Sequence, residues 1–382
     1  MRIAFVHSFY RSNSPSGETL SVQEWMQTLK NAGHETRLVN QKTDELAQSR
    51  LYPLKAALWV ASGKGADPTP ELLEFKPDVV HVQNLFPNYS TDWLQHWDGP
   101  LVTTLHNYRP LCANGMLYRD GSPCSLCPDG KLWSSVQHRC YRGSRAATLP
   151  LTIRTVRNKG QDPLLARANR VVVLSERAKS IYIKHGVRES DLDVIPSHAW
   201  RNFPPVSNKH SQEWVYVGRI EDSKGLAELM RIWPSSKKLK VIGTGPDMEL
   251  AKELAPASVE FLGFVSDQVL EETTQGAMGF VFPSRWAETQ GMAACEAWGA
   301  GLPVVSLEGN AISDSIDMHG LGATYSDRDP QSLLRAINFV ENSPQDLRTK
   351  VQDFYRDTYS RERWLRLVEH TYKRVLESHA TG

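Results

Sequence analysis

Short runs of apolar, mostly β-branched residues recur along the chain and alternate with stretches of helical periodicity. We predict the following strands, in two groups: residues 3–6, 36–39, 78–82, 101–105 and 171–174, then residues 214–217, 239–242, 259–262, 279–282 and 303–306. Continuous apolar runs of this kind are typical of parallel strands that helices cover on both faces.

A proline-containing segment, residues 196–205, separates the two groups. The strand–helix alternation on each side of it predicts an α/β protein with two doubly wound, Rossmann-like domains. We assign residues 1–205 to the first domain and residues 206–358 to the second. A last helix, about residues 361–378, carries an apolar stripe that needs a partner surface. The stripe consists of Trp364, Leu365, Leu367, Val368, Tyr372 and Val375.

Composition narrows the class of protein. The chain has 382 residues, enough for two domains, and 44 basic against 43 acidic residues give a net charge of +1. This balance argues against a general nucleic-acid-binding protein, which is usually strongly basic. No apolar run is long enough to span a membrane. The first residues lack the pattern of an export signal, so we expect a cytoplasmic protein.

Two glutamates frame a predicted strand–loop–helix junction. The strand ends at Phe282, the loop carries Glu288, and a helix that begins near Gln290 contains Glu296. The first N–H groups of such a helix can hold a phosphate, and a carboxylate on each side can accept hydrogen bonds from hydroxyls. A sugar nucleotide has this layout of sugar, diphosphate and ribose. The spacing alone would also fit two surface charges, but the strand–loop–helix context favours a binding site.

This segment resembles the E-x7-E region of retaining glycosyltransferases with the GT-B fold, in particular glycosyltransferase family 4. Three further segments are similar to motifs of that family and occur in the same order. They are the G-R-x4-K-G loop at 218–225, the G-x-G-P turn at 243–246 and the F-x-G segment at 261–263. The resemblance implies two Rossmann-like domains facing across a cleft, with a C-terminal helix, residues 359–382, that returns to the first domain.

The resemblance also implies an activity. We expect metal-independent transfer of a hexose or N-acetylhexosamine from a nucleotide-diphosphate sugar, with retention of the anomeric configuration. A UDP- or GDP-sugar is the expected donor, and a glycan, a glycolipid or a small molecule is the expected acceptor, as in polysaccharide biosynthesis. Two alternatives stay open, namely a sugar-nucleotide epimerase of the same fold and a non-catalytic protein that binds sugar nucleotides or glycans.

The matched motifs assign roles to individual residues of the second domain. In the family, the position of Glu288 contacts hydroxyls of the donor sugar and that of Glu296 contacts the ribose. Backbone N–H groups at the helix start would hold the distal phosphate, and they belong to Gly291, Met292 and Ala293.

Two cations and two glycines complete this set. Arg219 and Lys224 can stabilise the negative charge that a departing nucleoside diphosphate gains, without a metal ion. Gly243 and Gly245 permit a tight turn near the nucleotide, although turn geometry alone would also explain them.

Two residues of the first domain are further candidates. His106 follows the strand at 101–105, where the family often has a histidine close to the donor sugar; the alternative is a polar residue that caps a strand. Gly17 follows the first strand, where the family usually has a glycine-rich loop near the diphosphate and the acceptor. Here only one glycine is present, and a glycine at a helix start is the competing interpretation.

Four cysteines lie close together in the sequence, with the spacing C-x11-C-x2-C-x12-C. They are Cys112, Cys124, Cys127 and Cys140. The central pair has the spacing of a zinc knuckle, so a structural zinc ion is one interpretation. Unligated thiols and paired disulfides are the alternatives.

A basic segment lies within the first domain. Residues 131–185 contain twelve Lys or Arg residues and two acidic residues, and the stretch 146–156 within them is largely apolar. A basic, partly apolar helix can lie on an anionic membrane, so peripheral contact with the inner leaflet is one hypothesis. A solvated basic face, or a cleft wall that attracts anionic substrates, is the other.

Overall fold

A computed structural model describes residues 1–10, 17–198, 203–204, 211–344 and 346–380. The chain divides into two compact units. The first unit comprises Met1–Leu117, Cys124–Ser197 and Arg361–Gly382, and the second comprises Tyr118–Pro123 and His198–Ser360. The division therefore falls after Ser197, whereas the sequence places the domain boundary after residue 205.

The first unit is built on one parallel sheet of six strands. The strands are β1 (Arg2–Phe9), β2 (Glu35–Lys42), β3 (Val79–Asn84), β4 (Leu101–Leu105), β7 (Arg170–Val173) and β8 (Leu192–Val194). A two-stranded hairpin between β4 and β7 groups with the second unit; its strands are β5 (Tyr118–Arg119) and β6 (Ser122–Pro123). The strand order β2-β1-β3-β4-β7-β8 reverses direction between β1 and β3. In open α/β sheets, ligands bind at the carboxyl ends of the strands at such a reversal.

Helices cover both faces of this sheet. They are α1 (Gly17–Asn31), α2 (Thr43–Leu46), α3 (Tyr52–Ser62), α4 (Thr69–Phe75), α5 (Ser134–Gln137), α6 (Arg145–Arg157), α7 (Pro163–Arg167), α8 (Glu176–Lys184) and the C-terminal α16 (Arg361–Ala380). Three short 3₁₀ helices occur at Asp92–Gln95, Glu189–Asp191 and Asp222–Lys224, the last of them in the second unit.

The second unit repeats the plan. Its strands are β9 (Trp214–Val217), β10 (Leu239–Ile242), β11 (Val259–Gly263), β12 (Gly279–Phe282), β13 (Val304–Leu307) and β14 (Gly322–Tyr325). All pairings are parallel, and the order β11-β10-β9-β12-β13-β14 reverses between β9 and β12. Its helices are α9 (Leu226–Ile232), α10 (Met248–Leu254), α11 (Asp267–Gln275), α12 (Met292–Gly299), α13 (Ala311–His319), α14 (Pro330–Glu341) and α15 (Asp346–Tyr359).

The prediction of two doubly wound α/β domains is confirmed by these sheets. The sequence pattern does not predict two strands of these six-stranded sheets, β8 and β14. Both lack a continuous apolar run, because β8 has Asp193 at its centre and β14 contains Gly322 and Thr324. Each lies at the edge of its sheet, where a strand needs less apolar surface.

Helix α16 supplies part of the core of the first unit. Trp364 stacks on Trp25 of α1 with ring centroids 5.2 Å apart, and both side chains are buried. The hydroxyl of Tyr372 lies 2.7 Å from Nδ1 of His81, whose Nε2 lies 2.8 Å from the Thr104 hydroxyl. Burial lowers the pKa of His81 to about 3, so the ring stays neutral between these two hydroxyls. The apolar stripe of the last helix thus has the sheet and α1 as its partner surface.

We expect Trp364→Ala to lower the free energy of unfolding of the first unit by about 3 to 5 kcal/mol, because it removes a buried aromatic ring and leaves a cavity. Urea denaturation followed by circular dichroism measures the change. Phe339→Ala, at an exposed aromatic on α14, is the control and should change stability little. Equal effects of the two substitutions would contradict the packing described for α16.

Candidate active site

The loops that follow β9 and β12 meet at the strand reversal of the second sheet. The Lys224 ammonium group contacts Oε1 of Glu288, and the Ser284 hydroxyl donates to the same oxygen at 2.8 Å. The Glu288 side chain is only 6% exposed. A buried carboxylate needs a counter-charge and hydrogen-bond donors, and Lys224 and Ser284 supply both. The ammonium also lies 5.4 Å from the centroid of the Trp286 ring, within cation–π range.

Arg219 opens the same loop that carries Lys224, and its environment is different. Its side chain is 71% exposed and pairs with Oε2 of Glu221 at 2.8 Å. An exposed ion pair contributes little to stability, so the guanidinium can exchange this partner for an incoming anion at small cost.

Backbone packing holds the two loops together. The Arg285 N–H donates to the Ser223 carbonyl at 2.9 Å. Gly225 has a φ of 71°, and a Cβ atom there would lie 2.1 Å from the Pro283 carbonyl oxygen. Only glycine allows this approach, and the approach sets where Lys224 and Glu288 meet.

Gly243 and Gly245 lie in the turn after β10 and pack against the beginning of the Arg219 loop. A Cβ atom at Gly243 would lie 1.9 Å from the Gly218 carbonyl oxygen, and one at Gly245 would lie 2.1 Å from that of Ile220. The Ile220 N–H also donates to the carbonyl of residue 244 at 3.0 Å. These contacts favour the packing interpretation of both glycines over direct contact with a nucleotide.

Helix α12 begins where the sequence predicts a phosphate-binding turn. Gly291 is its N-cap with a φ of 83°, and a Cβ atom there would lie 2.7 Å from Cγ1 of Ile312. Met292 and Ala293 form the first turn, whose N–H groups have no acceptors within the helix. Glu296 is half-buried in the second turn. The structure thus brings Lys224 and Glu288 into contact and places the other candidates of this unit on the adjoining loop and helix.

His106 follows β4 of the first unit and lies among polar side chains at the strand ends. Its Nε2 is 2.8 Å from the amide oxygen of Gln83, and its ring stacks on Trp25 at 5.5 Å. An amide oxygen only accepts hydrogen bonds, so we assign the imidazole proton to Nε2. Burial, with smaller effects of His7 and His81, lowers the pKa of His106 to about 3. The imidazole is therefore neutral at physiological pH.

A second pair lies in this region, Glu18 and His7, and the sequence pattern does not predict it. Oε1 of Glu18 lies 3.8 Å from Nδ1 of His7, and both atoms are buried without a hydrogen-bond partner. Burial raises the pKa of Glu18 to about 8, against a smaller opposite effect of Arg109, and lowers the pKa of His7 to about 3. Both groups are mostly neutral at pH 7. In the sequence, Glu18 is an ordinary acidic residue in the first turn of a helix, and nothing in this pattern indicates desolvation or a raised pKa.

Gly17 is the first residue of α1. A Cβ atom there would meet nothing within 4 Å. Packing therefore does not require glycine at this position, and residues 14–16 of the predicted loop lie outside the described part of the chain.

The four cysteines of the first-domain loop are half-buried, and none of the four is part of a disulfide. Cys112 donates to Oδ1 of Asn114 at 3.0 Å. Burial, and then the neighbouring Cys112 and Cys124, raise the pKa of Cys127 to about 11, which favours the thiol. Within the described residues, no three His, Cys, Asp or Glu side chains are placed to hold a metal ion. As placed here, Cys112, Cys124, Cys127 and Cys140 do not fit zinc, and the zinc ion remains a prediction from their spacing.

Comparison with known proteins defines the class. Residues 15–197 match the model of Glycosyltransferase Family 4, and residues 211–342 match that of Glycosyl transferases group 1. The structure resembles a sucrose-phosphate synthase from Thermosynechococcus elongatus, with a TM-score of 0.70 and 16% identity over 99% of each chain. It also resembles Anabaena Alr3699/HepE in complex with UDP and glucose, with a TM-score of 0.59 and 16% identity over 98% of this chain and 99% of the other.

The fold and these matches define a glycosyltransferase with the GT-B fold, as the motifs predict. A curated relative, the sulfoquinovosyl transferase SQD2 of Arabidopsis thaliana, is 28% identical over 300 residues, which are 76% of this chain. The aligned region covers 52% of that relative, so the chain spans about half of its length. Together the two family models cover most of the chain, and with this relative they support a glycosyltransferase similar to those of family 4.

We expect Glu18→Gln to stabilise the protein at neutral pH. In the unfolded chain Glu18 ionises above a pKa of about 4.5, whereas in the folded chain it stays protonated up to about 8, so the wild type loses stability between these pH values. Glutamine imitates the protonated acid. The stability advantage of the variant should be near zero at pH 4, grow with pH and level off above pH 8 at a few kcal/mol, since one pKa unit corresponds to about 1.4 kcal/mol.

Urea denaturation at a series of pH values measures this difference. Glu24→Gln is the control, because Glu24 lies on the same helix but is partly exposed and pairs with Arg361. It should be neutral or slightly destabilising. A pH-independent difference between wild type and Glu18→Gln would show that the Glu18 carboxyl is not held in its neutral form.

Proposed function

We propose that this glycosyltransferase is a retaining, metal-independent hexosyltransferase. Its second unit binds a nucleotide-diphosphate sugar that carries a hexose or N-acetylhexosamine, and its first unit binds a glycan, glycolipid or small-molecule acceptor, as in polysaccharide biosynthesis. The observation that carries the proposal is the cluster of Lys224, Glu288 and Ser284, whose Lys224 lies on the same loop as the exposed Arg219. It lies at the strand reversal, where this fold class binds ligands.

In this proposal, two cations bind the diphosphate of the donor and stabilise its charge. The exposed Arg219 exchanges its partner Glu221 for a phosphate oxygen, and Lys224 stabilises the charge that develops on the leaving diphosphate. Positive side chains in these positions supply the charge that a divalent cation supplies in other transferases. The N–H groups of Gly291, Met292 and Ala293 add hydrogen bonds to the distal phosphate.

The two glutamates orient the donor on either side of the diphosphate. Lys224 and Ser284 both bind Oε1 of Glu288, and neither contact involves Oε2. We assign Oε2 to a hydroxyl of the donor sugar and the carboxylate of Glu296 to the ribose. The resemblance to a protein solved with UDP and glucose favours a UDP-sugar over a GDP-sugar.

His106 is the candidate catalytic residue of the first unit. As a neutral imidazole with its proton on Nε2, it can hydrogen-bond a sugar hydroxyl without adding charge. Gly17 permits close approach of the backbone to a substrate, since the space beside it is open.

Two other functions use the same donor site. An epimerase would convert one sugar nucleotide into another, and a binding protein would leave it unchanged. A proton NMR spectrum of the products separates the three, because only a transferase yields a free nucleoside diphosphate with a new glycoside. The anomeric coupling constant of that glycoside also shows whether the configuration is retained.

We expect calorimetric titration with UDP, GDP, ADP and TDP to show micromolar binding of one diphosphate, with the same affinity with and without Mg²⁺. Arg219→Met should weaken this binding about tenfold, because it removes one charge-assisted contact. Arg231→Met is the matched control, since Arg231 is a half-exposed arginine of the same unit that also pairs with a glutamate. We avoid Lys224→Ala here because it would leave the buried Glu288 carboxylate without a counter-charge. Absence of binding of every diphosphate would remove the proposal.

We further propose peripheral contact with an anionic membrane through α3 and α6. Leu54 and Leu58 of α3 are 64% and 61% exposed, and Leu149 and Ile153 of α6 are also exposed. Leu151, at the centre of the apolar stretch in the sequence, is buried instead. The leucine face belongs to the unit that contains the basic segment 131–185, a combination that favours an anionic lipid surface. In the described residues, no helix is long and apolar enough to cross a bilayer.

In a flotation assay, we expect the protein to rise with vesicles of phosphatidylglycerol and to stay behind with vesicles of phosphatidylcholine. Leu54→Ser with Leu58→Ser should abolish flotation, whereas Leu250→Ser, at an exposed leucine of the second unit, should not. If the wild type floats with neither kind of vesicle, membrane contact through this surface is ruled out.

A further inference from the structure

An apolar cavity of about 380 Å³ lies between α3 and α6 of the first unit. Ala56 and Ala57 of α3 face it from one side, and Ala147 and Leu151 of α6 face it from the other. Helices that meet through alanines leave room between them that larger side chains would fill. The part of the wall that these residues form is apolar. The rest of the lining includes polar groups, from Tyr10, Thr43, Tyr52, Tyr141 and Arg142.

The cavity adjoins the polar strand ends. A smaller cavity of about 70 Å³ shares Val60, Phe86 and Pro87 with it and is lined by His106 and Gln83. The large cavity therefore adjoins a space lined by His106, the residue to which we assign the chemistry of this unit. The proposed glycosyl transfer needs an acceptor hydroxyl in this region.

Two arginines lie where the apolar and polar parts meet. Arg142 lines the large cavity, and Arg109 lines the small one. The Arg109 guanidinium lies over the Phe86 ring at 4.6 Å and over the Tyr141 ring at 5.5 Å. Such cations favour an anionic group, and a phosphate suits the planar guanidinium.

We propose that this cavity binds the hydrocarbon chain of a phosphate-linked lipid acceptor. The chain lies between α3 and α6, its phosphate lies by Arg142 and Arg109, and its hydroxyl-bearing head lies near His106. The exposed leucines Leu54 and Leu58 flank the cavity on α3, so the rest of a long chain can remain in a bilayer. This inference rests on the proposed function and names its acceptor class.

The test uses decyl phosphate below its critical micelle concentration as the probe, titrated into the full chain by calorimetry. Ala57→Trp and Ala147→Trp fill the cavity from opposite sides and should weaken binding at least tenfold. Ala61→Trp is the matched control, since Ala61 is a half-buried alanine of α3 that does not line the cavity, and its affinity should equal that of the wild type. Arg142→Met should weaken binding of decyl phosphate but leave that of decyl glucoside unchanged.

Three results would overturn the inference. The first is no binding of decyl phosphate to the wild type, and the second is equal binding by the filled variants. The third is binding that Leu54→Ser with Leu58→Ser abolishes while both filled variants retain it, which would place the probe on the surface. Every variant is also titrated with the nucleoside diphosphate that binds the wild type. If that binding persists while the lipid results fail, only the acceptor class is wrong; if no diphosphate binds, the proposed function itself fails.

Discussion

The buried carboxylate of Glu288 is the constraint on which the second unit depends. A carboxylate with so little access to water is stable only with a cation and a hydrogen-bond donor beside it. Lys224 and Ser284 meet this demand from two different loops. The loops approach closely enough because Gly225 lets the Pro283 carbonyl lie where a Cβ atom would otherwise be. The ion pair therefore fixes the relative position of the two loops that carry the candidate diphosphate and sugar contacts.

The two units share the same sheet topology, but the polar groups at their strand reversals differ in charge. Each sheet reverses its strand order once and gathers polar side chains at that point. In the second unit these are charged groups that are already paired, with the exposed Arg219 as the most available. In the first unit they are neutral groups, namely His7, Glu18 and His106, held neutral by burial. The charged set suits a diphosphate, and the neutral set suits hydroxyls.

Buried polar atoms without partners connect stability to function in the first unit. Oε1 of Glu18 and Nδ1 of His7 each forgo a hydrogen bond, and an unmade bond in a buried position costs about 1 to 3 kcal/mol. Two atoms 3.8 Å apart can share one bridging oxygen, so a hydroxyl that binds there would restore both interactions.

The sequence by itself determined the two-domain α/β architecture and the family. Continuous apolar runs identify central parallel strands, and the ordered motifs around Arg219, Lys224 and Glu288 predict a donor site. The edge strands β8 and β14 are not predicted, because their half-exposed positions interrupt the apolar runs that mark the central strands. Only the tertiary structure decided that Lys224 and Glu288 form a pair, that Gly243 and Gly245 pack against the Arg219 loop, and that desolvation raises the pKa of Glu18. Each of these depends on which groups lie nearby in space, and a linear pattern does not encode the desolvation and the close approaches that follow from folding.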